Sequence, residues 1–396
     1  MHKIIEDQEA LGVLACLDER LNLEQPEVNG KKSTIIIHQA YGSRHLFEID
    51  SFVKDIGKRG EVGFIDEVTH YDGVGKIRSL YLGEQYYHLL TGWLDRYSDV
   101  HSYSTRVAVF FDVCRELGLI GKHPFWFGKP EAVADANGAR YMDVFNVLIE
   151  MIRERCKTRE FKERERLRLV NAERNMRNVL VLEEAMFSVE TGRSRWLLLS
   201  LTLRYKPKFR DSITPEMIQQ HRERFFNARR FNKLMSGIKN YVWAIEEGES
   251  TGLHLHVILY YSADHNHDEF IAQQIGEYWV HAVTENTGDY WNSNAARQKK
   301  IYETRGHGVG VGQINWNDVG KRDALRKNLV YLAKAAQYLM IKGAENMHTF
   351  DMGQLPKKVK AGRPRSDADV GGNSIDVESF YEADITATLL NEVDDD

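Results

Sequence analysis

No apolar run in this chain approaches the roughly 18 residues that a membrane-spanning helix needs. Cysteine is nearly absent: Cys16, Cys114 and Cys156 are far apart and odd in number, which argues against a disulfide framework or a cysteine-based zinc site. Between Ala139 and Thr191 neither glycine nor proline occurs, and between Asp367 and Asp396 there is no Lys or Arg against ten acidic residues. Without those ten charges the net −5 of the chain becomes about +5 on its first 366 residues. A mildly basic body permits a nucleic-acid partner without demanding one. The opening "MHKIIEDQEALG" resembles neither a secretion signal nor a transit peptide, so a cytoplasmic protein with no membrane partner is expected.

What is present is an ordinary globular composition, 42% apolar and 28% charged over 396 residues, enough for two or three domains. Residues 1–138 mix helical and strand-like stretches around turn signals such as "YDGVGK" and "ADANGA". "STIIIHQA" reads as a strand there, and "GEQYYHLLTGWLDRY" and "TRVAVFFDVCRELG" as short helices. Residues 139–191, rich in charge, read as one or two long helices forming a connector. Gly192 opens a different texture. "SRWLLLSLTLRY" has the composition of a buried strand. A helix follows, with Thr214 as N-cap and Pro215 at its first position. Along it Arg222, Arg224, Arg229, Arg230 and Lys233 interleave with Phe225, Phe226 and Phe231. That pattern suits an amphipathic surface helix and also a phosphate-contacting one. "YVWAIE" and "LHLHVILYY" around "EGESTG" predict a β-hairpin. "DEFIAQQIGEYWVHAV" reads as a helix, "GVGVGQINW" as a strand, and 321–343 as a helix closed by Gly343. This rhythm predicts an α+β fold, an antiparallel sheet with helices packed on one face, beside a mixed, largely helical N-terminal region.

Two histidines stand two apart in "STGLHLHVILYY". Taken alone, His-x-His is weak: with 15 histidines in the chain, about half a pair arises by chance. A second pair, His265 and His267 in "SADHNHDEF", falls in a polar turn before a helix. Strand parity separates the two. Leu253, Leu255, Val257 and Leu259 share one face, and His254 and His256 point to the other. With Glu246 opposite His254, the hairpin buries Tyr241, Trp243 and Ile245 on the leucine face and gathers Glu246, His254 and His256 on the other. Cross-strand neighbours about 5 Å apart can share one cation. Two imidazoles and a carboxylate suit Mn²⁺ or Mg²⁺ with positions left for phosphate and water. Two ordinary polar residues on a half-buried strand remain the alternative.

The last strong helix carries Tyr331, Lys334 and Tyr338. On a helical wheel Tyr338 lies about 20° and Lys334 about 60° from Tyr331, so all three can share a side. Leu332, Ala335 and Leu339 also make this a good core helix, and Tyr-x-x-Lys is a frequent accident. The chemical alternative is a tyrosine that attacks a DNA phosphate, its phenolate favoured by a nearby cation.

The order of "LLLSLTLR", "IEEGESTGLHLHVIL" and "YLAK" resembles the three motifs of HUH endonucleases, the rolling-circle replication initiators. It looks closest to inovirus gene-2-type replication proteins and their prophage relatives of the YagK/YfjJ type. Glu246 stands eight residues before His254, as in related phage initiators, and "AGRPR" at 361–365 resembles the basic stretch that follows the tyrosine helix. The likeness covers roughly 194–365. It implies His254 and His256 as metal ligands, Glu246 as the third, Tyr331 as nucleophile and Lys334 as the residue that orients or stabilises phosphate or phenolate. Two-tyrosine members often carry their second tyrosine four residues on, where this chain has Ala335; Tyr338 is either a second nucleophile or a packing residue. The implied reaction is site-specific nicking of single-stranded or origin DNA through a 5′-phosphotyrosine link. The free 3′-OH would pass to host replication proteins, a helicase and a polymerase. Backbone contacts are expected from Arg222, Arg224, Arg229, Arg230, Lys233, Lys321, Arg326, Lys357, Lys358, Arg363 and Arg365. The domains implied are 1–138, the connector 139–191, an endonuclease domain 192–345, a basic extension 346–366 and an acidic tail 367–396 expected to be disordered. A relaxase or transposase shares the same core chemistry, and a non-catalytic DNA-binding regulator is the reading from another class. A cupin-type metalloenzyme ranks low because no Glu follows the histidine pair in "VILYYSADHN".

Overall fold

The computed structural model describes residues 44–357 apart from 69–74, 100, 122–124, 191–192, 249–250, 265, 305, 307, 336–338 and 342–346, together with four two-residue strands between Leu23 and Ile36. The expected strand 33–40 lies largely outside these residues, with Ile35–Ile36 its described part. The acidic tail lies wholly outside them.

The first layer of structure gathers around aromatic rings. Helix α1 (Arg44–Lys58), the hairpin β1 (Phe64–Val68) and β2 (Gly75–Ser79), helix α2 (Thr105–Glu116) and helix α3 (Tyr141–Lys157) surround one core. Phe52 stacks on Phe145 at 5.8 Å and meets Trp93 and Phe110 edge-on or tilted. Because α3 contributes Met142, Phe145, Leu148, Ile149 and Ile152 to that core, it completes the N-terminal unit. The 139–191 stretch is therefore not a plain connector.

Thr158 caps the next helix, α4 (Arg159–Phe187), through its hydroxyl. At 29 residues it is about 43 Å long. Its start is held to the N-terminal unit by a buried ion network: Arg106 reaches Asp50 at 3.2 Å and Glu165 at 2.8 Å, and Arg168 reaches Glu165 at 2.7 Å. Its end packs elsewhere.

That second region is an antiparallel sheet. Strand β3 (Arg195–Tyr205) leads to helix α5 (Pro215–Asn227), where Thr214 caps and Pro215 takes the first turn as its chemistry dictates. Strands β4 (Ile238–Gly248) and β5 (Gly252–Tyr261) form the hairpin, followed by helix α6 (Asp268–Tyr278), strand β6 (Gly288–Asn292), helix α7 (Ala296–Thr304), strand β7 (Gly312–Asn315), helix α8 (Val319–Ala335) and strand β8 (Phe350–Met352). The strand order is β6–β3–β5–β4–β8, with β7 pairing the other half of β3, and each pairing is antiparallel. The α+β class is as the sequence implies.

Both faces of this sheet are covered, one more layer than expected. Leu253, Leu255, Val257 and Leu259 pack under α5 and α6 with Ile218, Phe225, Ile271 and Ile275. The opposite face changes character along β5: His254 and His256 give way to Ile258 and Tyr260. Those last two, with Leu198, Val242 and Ala244, lie under Leu182, Met186 and Phe187 of α4 and Leu325, Leu329, Leu332 and Ala333 of α8. The tyrosine helix is shorter than 321–343. Leu339–Ile341 leaves it as a strand paired with His101–Tyr103 of the N-terminal unit. Among the described residues no helix is long and apolar enough to cross a membrane.

Candidate metal centre

The hairpin register decides the site. His254 pairs with Glu246 and His256 with Ala244, on β5, the middle strand of the sheet. Period-two alternation then sends the leucines, Trp243 and Ile245 to one core and the polar side chains to the other face. This is the register that the apolar pattern predicts. The turn is helped by Gly252 at φ +61°, where a side chain would be strained and a Cβ would stand 3.3 Å from Arg210 Cβ.

Glu246, His254 and His256 bring one ligand atom each to within 4.8 Å of one another. His254 is fully buried and His256 nearly so. The carboxylate Oε2 of Glu246 stands 3.6 Å from His254 Nε2 and 3.0 Å from His256 Nε2. Yet both Nε2 atoms and Glu246 Oε1 make no hydrogen bond of acceptable geometry among the described residues. Buried polar atoms that make no hydrogen bond cost stability unless something binds them.

The far sides of the rings show how the nitrogens are prepared. His254 Nδ1 lies 2.9 Å from the carbonyl oxygen of Gly252, which can only accept, so Nδ1 carries the proton and Nε2 presents its lone pair. His256 Nδ1 lies 3.0 Å from the buried hydroxyl of Thr202 on β3. Burial pushes His254 down, against the raising effect of Glu246. Burial works to raise the Glu246 carboxyl, but the charge of His256 and the contacts to both imidazoles outweigh it, leaving the group well below the usual carboxylate range. A carboxylate facing two buried imidazoles is a donor set that can hold a metal ion.

Thr202 was not singled out by the motif reading, although its parity in "LSLTLR" puts it on the histidine face. It belongs to a cross-strand row running Trp291, Thr202, His256, Ala244, Phe350.

Tyr331 is half-buried on α8, between buried Val330 and Leu332. Leu332 and Ala333 share a cluster with Ala244, the partner of His256, so this helix covers the histidine side of the sheet. The Lys334 side chain and Tyr338 lie outside the described residues.

The basic residues divide. Arg222 lies over the Trp243 ring at 4.4 Å and Arg229 over Tyr241 at 4.7 Å. Arg224 pairs with Glu285 at 2.9 Å, and Lys321 donates to the Gln313 carbonyl at 3.1 Å. Arg326 pairs with Glu183 and Glu184 at 2.8 and 3.0 Å. Expected as backbone contacts, these five each have a partner within the chain: an aromatic face for Arg222 and Arg229, carboxylates for Arg224 and Arg326, and a carbonyl for Lys321. Arg230, Lys233 and Lys357 are exposed; Lys358, Arg363 and Arg365 lie outside the described residues.

Comparison with protein-family models, with curated proteins and with solved structures gives no match to this chain, so the chemistry of the centre rests on its own geometry.

Proposed function

We propose that this protein is a metal-dependent HUH-type endonuclease that nicks single-stranded or origin DNA and starts rolling-circle replication of a phage, prophage or plasmid-like element. The observation that carries this reading is the grouping of Glu246 on β4 with His254 and His256 on β5, the middle strand of an antiparallel sheet, so that one ligand atom of each lies within 4.8 Å of the others. A tyrosine-bearing helix packed on the same face supports it. Mg²⁺ or Mn²⁺ held by these three side chains would polarise a phosphate oxygen and stabilise the charge of the transition state.

In this reading Tyr331 Oη attacks the phosphorus. The Oη–P bond forms, the P–O3′ bond breaks, the phenol proton is lost and the departing 3′-oxygen takes one up. The product is a 5′-phosphotyrosine and a free 3′-OH for a host polymerase. Lys334, three residues along the helix, would favour the phenolate by its charge.

The test uses a randomised single-stranded DNA pool labelled at its 3′ ends, with Mn²⁺ and the full chain. A denaturation-resistant labelled protein is expected with wild type and not with Tyr331→Phe. Retention in Tyr331→Phe with loss in Tyr338→Phe would move the nucleophile. DNA binding without any adduct in wild type would overturn the endonuclease reading in favour of a regulator.

A further inference from the structure

Glu183, near the end of α4, is fully buried. Its Oε1 accepts from Arg322 Nε at 2.7 Å, and its Oε2 from Arg322 Nη2 at 3.1 Å and Arg326 Nε at 2.8 Å. Glu184 adds acceptors at 2.8 and 3.0 Å to the same two arginines, and Arg322 Nη1 donates to the Trp316 carbonyl at 3.0 Å. Arg322 and Arg326 stand one turn apart on α8, the helix that carries Tyr331. Around them the contact is apolar: Leu182, Met186 and Phe187 against Leu325 and Leu329.

Burying the Glu183 carboxylate against two partly buried arginines is a poor way to gain stability, since packed hydrophobic residues of similar volume do as well or better. What an ion cluster supplies is register. Sliding α8 by one residue moves it about 1.5 Å and turns it about 100°, which would break the bonds to Glu183 together. Leucines tolerate such a slip far better. A second tie meets the same helix at its other end: Leu339–Ile341, a few residues beyond Ala335, pairs with His101–Tyr103 of the N-terminal unit. The same unit holds the start of α4 through Arg106, Asp50, Glu165 and Arg168.

We infer that Glu183 is a positioning residue for the nucleophile helix, and that residues 44–187 serve as a brace which fixes the register of the helix that carries Tyr331. This rests on the endonuclease reading. It gives the N-terminal unit a task in the reaction that requires no substrate contact by that unit.

The decisive variant replaces the cluster with apolar side chains: Glu183→Leu, Arg322→Met and Arg326→Leu together in the full chain. A cluster that only stabilises predicts unchanged cleavage once the melting temperature is restored by packing. A positioning cluster predicts a melting temperature and single-stranded DNA affinity near wild type, with adduct formation at least about 30-fold slower. It also predicts faster amide exchange across 319–335, as the helix samples neighbouring registers. Glu183→Gln serves as the second variant, expected to slow adduct formation while leaving Mn²⁺ affinity within about twofold. Adduct formation at the wild-type rate in the triple variant overturns the inference and leaves the endonuclease standing. Should wild type form no adduct, the endonuclease reading falls and Tyr331 positioning with it. Unchanged exchange across 319–335 in the triple variant would separately refute the register role.

Discussion

Replacing Thr202 by valine should weaken Mn²⁺ binding by about 10- to 100-fold while leaving the fold intact. The hydroxyl is the partner of His256 Nδ1, at 3.0 Å and out of solvent. Valine keeps the volume and the β-branched shape that the strand accepts, so the sheet and its neighbours Leu201 and Leu203 are undisturbed. What is lost is the bond that holds the imidazole plane. Outer partners of metal-bound histidines are worth about 10- to 100-fold in affinity, or about 1.4 to 2.7 kcal/mol. The ring of His254, anchored separately on the Gly252 carbonyl, should be unaffected, so binding weakens and does not vanish. Isothermal titration or Mn²⁺ spectroscopy on the purified chain reads this directly, with no need for DNA. Thr202→Ser should restore most of the affinity. If Thr202→Val binds Mn²⁺ within a factor of two of wild type, the hydroxyl does not orient His256 and the account of the centre fails at that point.

Other outcomes follow from the same geometry. Saturating Mn²⁺ at about 100 times its dissociation constant should raise stability by about 2.7 kcal/mol, an effect absent in His256→Ala when melting is followed by circular dichroism. Gly252→Ala should cost about 1 kcal/mol or more in denaturant unfolding, since its φ is +61°, and should also weaken metal binding by displacing the carbonyl that holds His254. Leu255→Ala, at a fully buried position under α5 and α6, should cost about 2–5 kcal/mol by the same assay. His221 is pushed down by burial and then by Arg224, against Glu285. The unfolded chain therefore binds its proton more readily, and this contribution is present above the ordinary value near 6.5 and lost on acidification. His221→Gln should flatten the fall in melting temperature between pH 7 and 5; an unchanged slope would place that pH dependence elsewhere.

The hairpin was legible in the sequence because its information is local. Alternation in "LHLHVILYY" and "YVWAIE" admits one register that hides every apolar side chain, and that register alone sets Glu246 beside His254. The cap at Thr214 and Pro215 was equally plain, since a helix start depends on three or four neighbouring residues. The internal partners of the arginines were not legible. Glu183 meets Arg326, and Trp243 meets Arg222, only once the chain has folded.

The sequence by itself therefore determined the α+β character, the strand faces and the grouping of two imidazoles with a carboxylate, all consequences of side-chain period and turn chemistry. Only the tertiary structure decided which partners hold the outer nitrogens, that Glu183 of α4 meets Arg322 and Arg326 of the tyrosine helix, and that Leu339–Ile341 pairs with His101–Tyr103. Those outcomes depend on which distant segments come into contact, and short-range periodicity carries no record of that choice.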